Sequence, residues 1–282
     1  MDNIKTTPRQ IFQPHPILGW KLTPNQKVYV KFRDNVVQTT DSEGWRTVVN
    51  SPDTPQATVG VYGCSYTYGT GLLDSETYTS LLQKQFQQIK FLNRGVGGHG
   101  NVQGYLQFRQ DVKQGKVNAA IFSMISDHRY RNVSHPSRMK AHLSFDWYKI
   151  GVEHVPRAQF NRNGEIIIEY IPIWQPSLFH SNYETFLADA YTLDRITIGL
   201  FKEIITFAGK HEIPIIIALL DQVDPEFNEI MRKEVKNCID ISTPFNGKYI
   251  FLPDDTHPNP VANCLFSERL KPWVRQTFPN FC

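Results

Sequence analysis

The chain of 282 residues is short of several things, and each shortage closes a line of interpretation. It has four cysteines, Cys64, Cys238, Cys264 and Cys282, and none of them stands in C-x-x-C spacing. Neither a zinc site nor a disulfide framework is expected from them, and a cytoplasmic address is the default. The longest strongly apolar run, Ile213 to Leu220, is far below the roughly 20 residues that span a bilayer. Met1 to Gln10 is polar and lacks the apolar core of a signal peptide. Charge of one sign is also missing: 30 Lys plus Arg face 27 Asp plus Glu, a net of +3. The densest basic stretches, Arg138 to Lys149 and the Arg129–Arg131 pair, are ordinary surface, so nucleic-acid binding is not expected. No internal repeat or low-complexity tract is present, and the histidines form no ligand cluster, so no metal and no cofactor are expected. The triplet Asn132-Val133-Ser134 fits the glycosylation pattern, which has meaning only in a secreted protein.

What the chain does have is a core-forming composition, 40% hydrophobic, arranged as strands alternating with helices. Ala57 to Gly63 reads as a buried strand ending in glycine, and Tyr78, Leu81, Leu82 and Phe86 recur at helical spacing behind it. Ile89 to Leu92, Ala119 to Ile125, Ile213 to Leu220 and Tyr249 to Leu252 read as four further strands. Helices carry Val102, Tyr105 and Leu106, then Leu193, Ile196, Leu200, Ile204 and Phe207. The last helix opens with Asn259 as cap and Pro260 at its first position, and buries Ala262, Leu265 and Phe266. This alternation predicts an α/β fold, a three-layer αβα sandwich on a five-stranded parallel sheet, with functional groups at the carboxyl ends of the strands.

Two segments break the repeat. Residues 1–52 form a β-rich lead-in, with alternation such as Lys27-Val28-Tyr29-Val30-Lys31-Phe32, ahead of a main domain over 53–282. Residues 129–185 read as an insertion rich in aromatics and proline, either a roof over the site or a structural elaboration. It contains a hairpin candidate, Phe160 to Ile166, whose Asn163-Gly164 suits a tight turn.

The chemistry is concentrated in two distant motifs. Gly63-Cys64-Ser65-Tyr66-Thr67-Tyr68-Gly69 puts a serine at the mouth of a strand, and Asp254-Asp255-Thr256-His257 supplies a histidine with a carboxylate, Asp254, three residues before it. A serine hydroxyl is almost fully protonated near neutral pH and attacks only when a base removes its proton. Neutral imidazole is such a base, and a carboxylate on its other nitrogen fixes the tautomer and stabilises the imidazolium. Between them lie Asn93-Arg94-Gly95-Val96-Gly97-Gly98 and the strand-end pair Ser126-Asp127.

Taken in order and spacing, these four blocks resemble the SGNH (GDSL-type) hydrolases over residues 57–128 and 213–275. The resemblance implies a flavodoxin-like core and an esterase or acylhydrolase cleaving an O-acyl ester of a carbohydrate or lipid-like small molecule. It makes Ser65 the nucleophile and, through its amide, an oxyanion donor. It makes Gly98 a second donor, His257 the general base and Asp254 the orienting acid. Asp255 competes for the acid role on proximity, and the three-residue offset favours Asp254. Cys64 stands where these enzymes often carry Asp, and reads as a small buried residue. Ser126 stands where they carry an asparagine that donates to the oxyanion. Either Ser126 or a water substitutes, another donor such as Asn101 or His128 enters, or catalysis is slow. An acyltransferase sharing the acyl-enzyme, and a non-catalytic ligand-binding member, are the rival readings. Gly95-Val96-Gly97-Gly98-His99-Gly100 also satisfies G-x-G-x-x-G, but a dinucleotide site would need an acid at the next strand end, where Asp127 comes late. Tyr66, Tyr68, His99, His128, Arg129 and Arg131 flank these motifs.

Overall fold

A computed structural model describes residues 6–138, 150–172 and 188–279. Its centre is a parallel sheet of five strands: β6 (Ala57–Gly63), β7 (Ile89–Gly95), β8 (Ala119–Met124), β11 (Ile215–Asp221) and β12 (Cys238–Thr243), in the order β12-β11-β8-β6-β7. Successive side chains of a strand point to opposite faces, and the core divides accordingly. Val59, Val61, Ile121, Ile216, Ala218 and Leu220 face one layer, formed by α2 (Tyr78–Gln85) and α7 (Pro260–Thr277). Tyr62, Phe122, Met124, Ile217 and Leu219 face the other, formed by α3 (Asn101–Lys113), α5 (Ala190–Lys210) and α6 (Pro225–Glu234). A sheet covered on both faces explains why these strands are apolar without alternation in sequence. The expected three-layer architecture is present.

One strand is not where it was expected. Tyr249–Leu252 is a loop segment outside the parallel sheet, with one isolated β-bridge, Ile250 with Pro258, and the fifth strand is Cys238–Thr243. As an edge strand β12 is buried mainly toward its carboxyl end and carries Asp240, so its sequence is a weak hydrophobic signal.

The lead-in supplies five short strands: β1 (Thr6–Thr7), β2 (Phe12–His15), β3 (Gly19–Leu22), β4 (Lys27–Val30) and β5 (Val37–Thr39). β2 pairs with β3, and β4 lies between β1 and β5. Leu18, Trp20, Leu22 and Trp45 enter the same core cluster as Val96 and Tyr62, so the lead-in packs directly on the sheet layer. Strands β9 (His154–Phe160) and β10 (Ile166–Pro172) pair antiparallel, with Ile166 opposite Phe160. Asn161 closes that hairpin by accepting from the amides of Asn163 and Glu165, and Gly164 takes φ +77°. The remainder of the expected insertion, at 139–149 and 173–185, lies outside the described residues, as does Cys282. Among the described residues no helix is long and apolar enough to cross a membrane.

Candidate active site

The chain leaves β6 toward β7 on one side and reaches β8 on the other, so the end of β6 is the point where the strand order reverses. Such a point opens a crevice beyond the carboxyl ends of the strands. Ser65 sits there, 8% exposed, as the first residue of the single-turn helix α1 (Ser65–Tyr68). The turn is held tightly against β7. Asn93 donates to the Thr67 carbonyl at 2.7 Å and to Thr79 Oγ1 at 3.0 Å, and its Oδ1 accepts from Gly95 N–H at 3.0 Å. A Cβ on Gly95 would stand 2.3 Å from the Tyr68 nitrogen, so that residue type is fixed by close backbone approach. Cys64 is buried, and burial pushes its thiol pKa up, against the opposing pull of Arg131. This suits the small-residue reading and not a nucleophile, which requires thiolate.

The histidine loop is closed on itself and fastened to α7. The Phe251 amide donates to the His257 carbonyl at 3.1 Å, and the Asp255 amide donates to the Phe251 carbonyl at 2.9 Å. Asn259 caps α7 by accepting from Val261 and Ala262, while its amide group donates to the Lys248 and Ile250 carbonyls. Within this frame His257 Nδ1 lies 2.5 Å from Asp255 Oδ1, which also accepts from the His257 amide at 2.8 Å. The carboxylate on the imidazole is therefore Asp255, and the expectation of Asp254 is corrected. Asp255 is buried, whereas Asp254 is exposed. The offset of two places the carboxylate under the ring because Asp255 turns back on the His257 amide, a local turn that sequence spacing does not reveal.

Tyr66 links the two motifs. Its ring meets the His257 ring edge-on with centroids 5.7 Å apart, and its hydroxyl donates to the Thr256 carbonyl at 3.3 Å. Burial pushes the Tyr66 pKa up, so this hydroxyl stays a donor. Among the described residues no hydrogen bond joins Ser65 to His257; they are neighbours through Tyr66, and catalytic hydrogen bonds commonly shorten only when substrate is bound.

Two backbone amides belong to the segments that follow β6 and β7. Ser65 N–H is in the first turn of α1, and Gly98 N–H belongs to the loop after β7, at φ +81°. Neither has an acceptor among the described residues.

The third block departs from expectation. Ser126 donates its hydroxyl to Asp221 Oδ1 at 2.7 Å and its amide to both Asp221 oxygens at 3.1 Å. Both of its donors are thus taken by the carboxylate at the end of β11, and the expectation that Ser126 feeds the oxyanion hole is corrected. Burial holds the Asp221 carboxyl above the usual carboxylate range, with the Ser126 bonds pulling the other way. Asn101 and His128 are also engaged: His128 Nδ1 donates to Asn101 Oδ1 at 2.9 Å, and Asn101 Nδ2 donates to the Ser123 carbonyl at 3.2 Å. Asp221 escaped the sequence reading, although it is an acidic residue ending an apolar strand. That position alone was the available signal.

β7 is the edge strand of its sheet, and Asp127 is paired with Arg131 at 2.7 Å and with Arg138. Arg129 is likewise committed, to Asp194 at 2.8 Å and Asp224 at 2.5 Å, bracing α4 (His128–Asn132) against α5 and α6. Among the described residues no group of His, Cys, Asp and Glu is arranged to hold a metal ion.

No family model and no curated protein matches this chain. It is similar at low identity to a number of solved structures, among them the following three. One is an acetyl xylan esterase, AlAXEase, at 15% identity and TM-score 0.45, over 77% of this chain and 99% of that one. Another is a psychrotrophic esterase, EstA, from Pseudoalteromonas sp., at 10% and 0.43, over 80% and 100%. The third is a GDSL-like lipase from Bacteroides thetaiotaomicron, at 10% and 0.41, over 78% and 88%.

Proposed function

We propose that the protein is a serine esterase of the SGNH type that cleaves an O-acyl ester through an acyl-enzyme on Ser65. The observation that carries this reading is the 2.5 Å contact of His257 Nδ1 with the buried Asp255 carboxylate, on a loop tied by Tyr66 to the turn that bears Ser65. A buried carboxylate on Nδ1 keeps that nitrogen protonated, which leaves Nε2 as the basic lone pair. His257 Nε2 takes the Ser65 proton as Oγ attacks the ester carbonyl, and the imidazolium is stabilised by Asp255. The carbonyl oxygen becomes an oxyanion that accepts from the amides of Ser65 and Gly98. Collapse expels the alcohol, which receives the proton from His257. Water, deprotonated by the same imidazole, then releases the acid and restores Ser65. The acyl group and the alcohol are those of a small or carbohydrate ester.

A second reading, a ligand-binding protein without turnover, draws on one observation: Ser126 gives its hydroxyl to Asp221 and so does not offer it to an oxyanion. Losing one such donor typically costs on the order of 3 kcal/mol of transition-state stabilisation. A fluorophosphonate probe with intact-mass detection separates the two. Wild type is expected to gain one adduct that maps to Ser65 and is absent in Ser65→Ala. Equal labelling of both proteins, or of neither, removes the hydrolase reading.

A further inference from the structure

The loop that carries Gly98 is hydrogen-bonded to the lead-in by the side chain of Trp20. Trp20, in β3, is 1% exposed, and its indole Nε1–H donates to the Gly97 carbonyl at 3.0 Å. A peptide unit is planar, so the Gly97 carbonyl and the Gly98 N–H belong to one rigid plate and point in opposite directions. Fixing the carbonyl fixes the N–H. This matters here because consecutive glycines have little intrinsic preference, and Gly98 already occupies the left-handed region at φ +81°. The rest of the surroundings converge on the same plate. His99 Nε2 donates to the Trp20 carbonyl at 2.9 Å, with the two rings edge-on at 5.1 Å. Arg131 Nη1 donates to the His99 carbonyl at 3.2 Å. Phe12 lies so close to Gly97 that a Cβ there would be 3.2 Å from its Cζ.

We propose that Trp20 is a positioning residue for the oxyanion hole: its indole N–H pins the Gly97–Gly98 peptide so that the Gly98 N–H is aimed at the substrate oxygen. A hydrogen bond on the carbonyl end also draws electron density from the amide nitrogen, making that N–H a stronger donor. The lead-in is then a working part of the site, although it comes before every strand of the parallel sheet. The inference rests on the reading of Ser65 as nucleophile and Gly98 as donor.

The test compares full-length wild type with Trp20→Phe, and with a protein carrying β-(3-benzothienyl)alanine at position 20, in which sulfur replaces the indole N–H and the shape is kept. Trp45→Phe serves as a control. Trp45 belongs to the same core cluster but packs on Lys21 and Arg94, and among the described residues no hydrogen bond joins its side chain to Gly97 or Gly98. The readouts are kcat and KM on p-nitrophenyl acetate, the rate of Ser65 phosphonylation, and thermal melting. Both position-20 variants are expected to lose roughly tenfold in kcat and in phosphonylation rate with KM within about twofold, since the interaction is made only with the oxyanion. Trp45→Phe is expected to keep the wild-type rate. An unchanged phosphonylation rate in the folded benzothienyl variant overturns the role of Trp20 alone, as does an equal loss in the control. Failure of wild type to label at Ser65 removes the nucleophile reading first, and this inference with it.

Discussion

The imidazole of His257 rests on Asp255, two residues before it, and not on Asp254, three residues before it. The two acids therefore make opposite predictions. In Asp255→Asn the amide can neither stabilise an imidazolium nor enforce the tautomer, and kcat is expected to fall by about 10³ to 10⁴. Asp254→Asn, altering an exposed side chain, is expected to stay within about threefold of wild type. Steady-state kinetics on a chromogenic acetate ester checks both. The reverse order of losses would return the acid role to Asp254.

Ser126 is predicted to matter for stability and not for rate. Its hydroxyl donates to a carboxylate that is itself buried, and a hydrogen bond to a charged group contributes roughly 1.5 to 3 kcal/mol. Ser126→Ala is expected to lower stability by about that amount, because the amide of residue 126 remains to hold Asp221 only in part. Chemical denaturation measures the loss, and phosphonylation of Ser65 is expected to proceed within about twofold of the wild-type rate. A rate loss near a hundredfold with no change in stability would place the Ser126 hydroxyl in the oxyanion hole after all.

Much of this was legible in the amino-acid order, and what escaped did so for physical reasons. Apolar runs such as Ile215 to Leu220 announce strands buried on both faces, and the Asn259-Pro260 cap announces the start of α7. β12 hides because an edge strand needs less apolar surface, so Cys-Ile-Asp-Ile-Ser-Thr lacks the continuous apolar run of the central strands. The serine and histidine blocks stand out through their composition. The partner acid depends on how one side chain folds back over two residues, and the capture of Ser126 depends on a carboxylate 95 positions away. Neither leaves a mark on local spacing. Trp20 is a similar case: nothing in Gly-Trp-Lys-Leu signals that its ring ends on a glycine 77 residues later.

Acid sensitivity is predicted to come largely from His128. The ring is completely buried, and desolvation, with Arg131 and His99 nearby, holds its pKa well below the ordinary 6.5. Its Nδ1–H is bound to Asn101, while Nε2 has no hydrogen-bond partner among the described residues. The native state therefore keeps His128 neutral where the unfolded chain would protonate it. A depressed native pKa gives stability that is complete above 6.5 and is lost as pH falls below it, at up to about 1.4 kcal/mol per pH unit for one proton. In His128→Asn the side-chain amide replaces the Nδ1 donor without titrating, and this component of the slope is expected to vanish. His15 and His135, also lowered by burial, contribute a remainder common to both proteins. Denaturant midpoints between pH 7 and 5 decide the matter, and parallel curves for wild type and variant would refute it.

The sharpest packing prediction concerns Gly95, which ends β7 directly under the turn bearing Ser65. A methyl group here would stand 2.3 Å from the Tyr68 nitrogen and 2.7 Å from the Thr67 carbonyl carbon. Both are backbone atoms, so no rotamer change relieves the overlap, and α1 must lift away from β7. Lifting breaks the Asn93 bond to the Thr67 carbonyl and moves Ser65 relative to His257. Overpacking of this kind costs typically about 1 to 3 kcal/mol, and more where backbone must shift. Gly95→Ala is therefore expected to destabilise the fold by at least that amount. It is also expected to cost more than about a hundredfold in Ser65 labelling, because a displacement near 1 Å at the reacting atom has that effect. Asn93→Ala removes that bond without the clash, so it is expected to show a smaller stability loss and an intermediate labelling rate. A Gly95→Ala protein that labels as fast as wild type would mean that the turn bearing Ser65 is not held by its contact with β7.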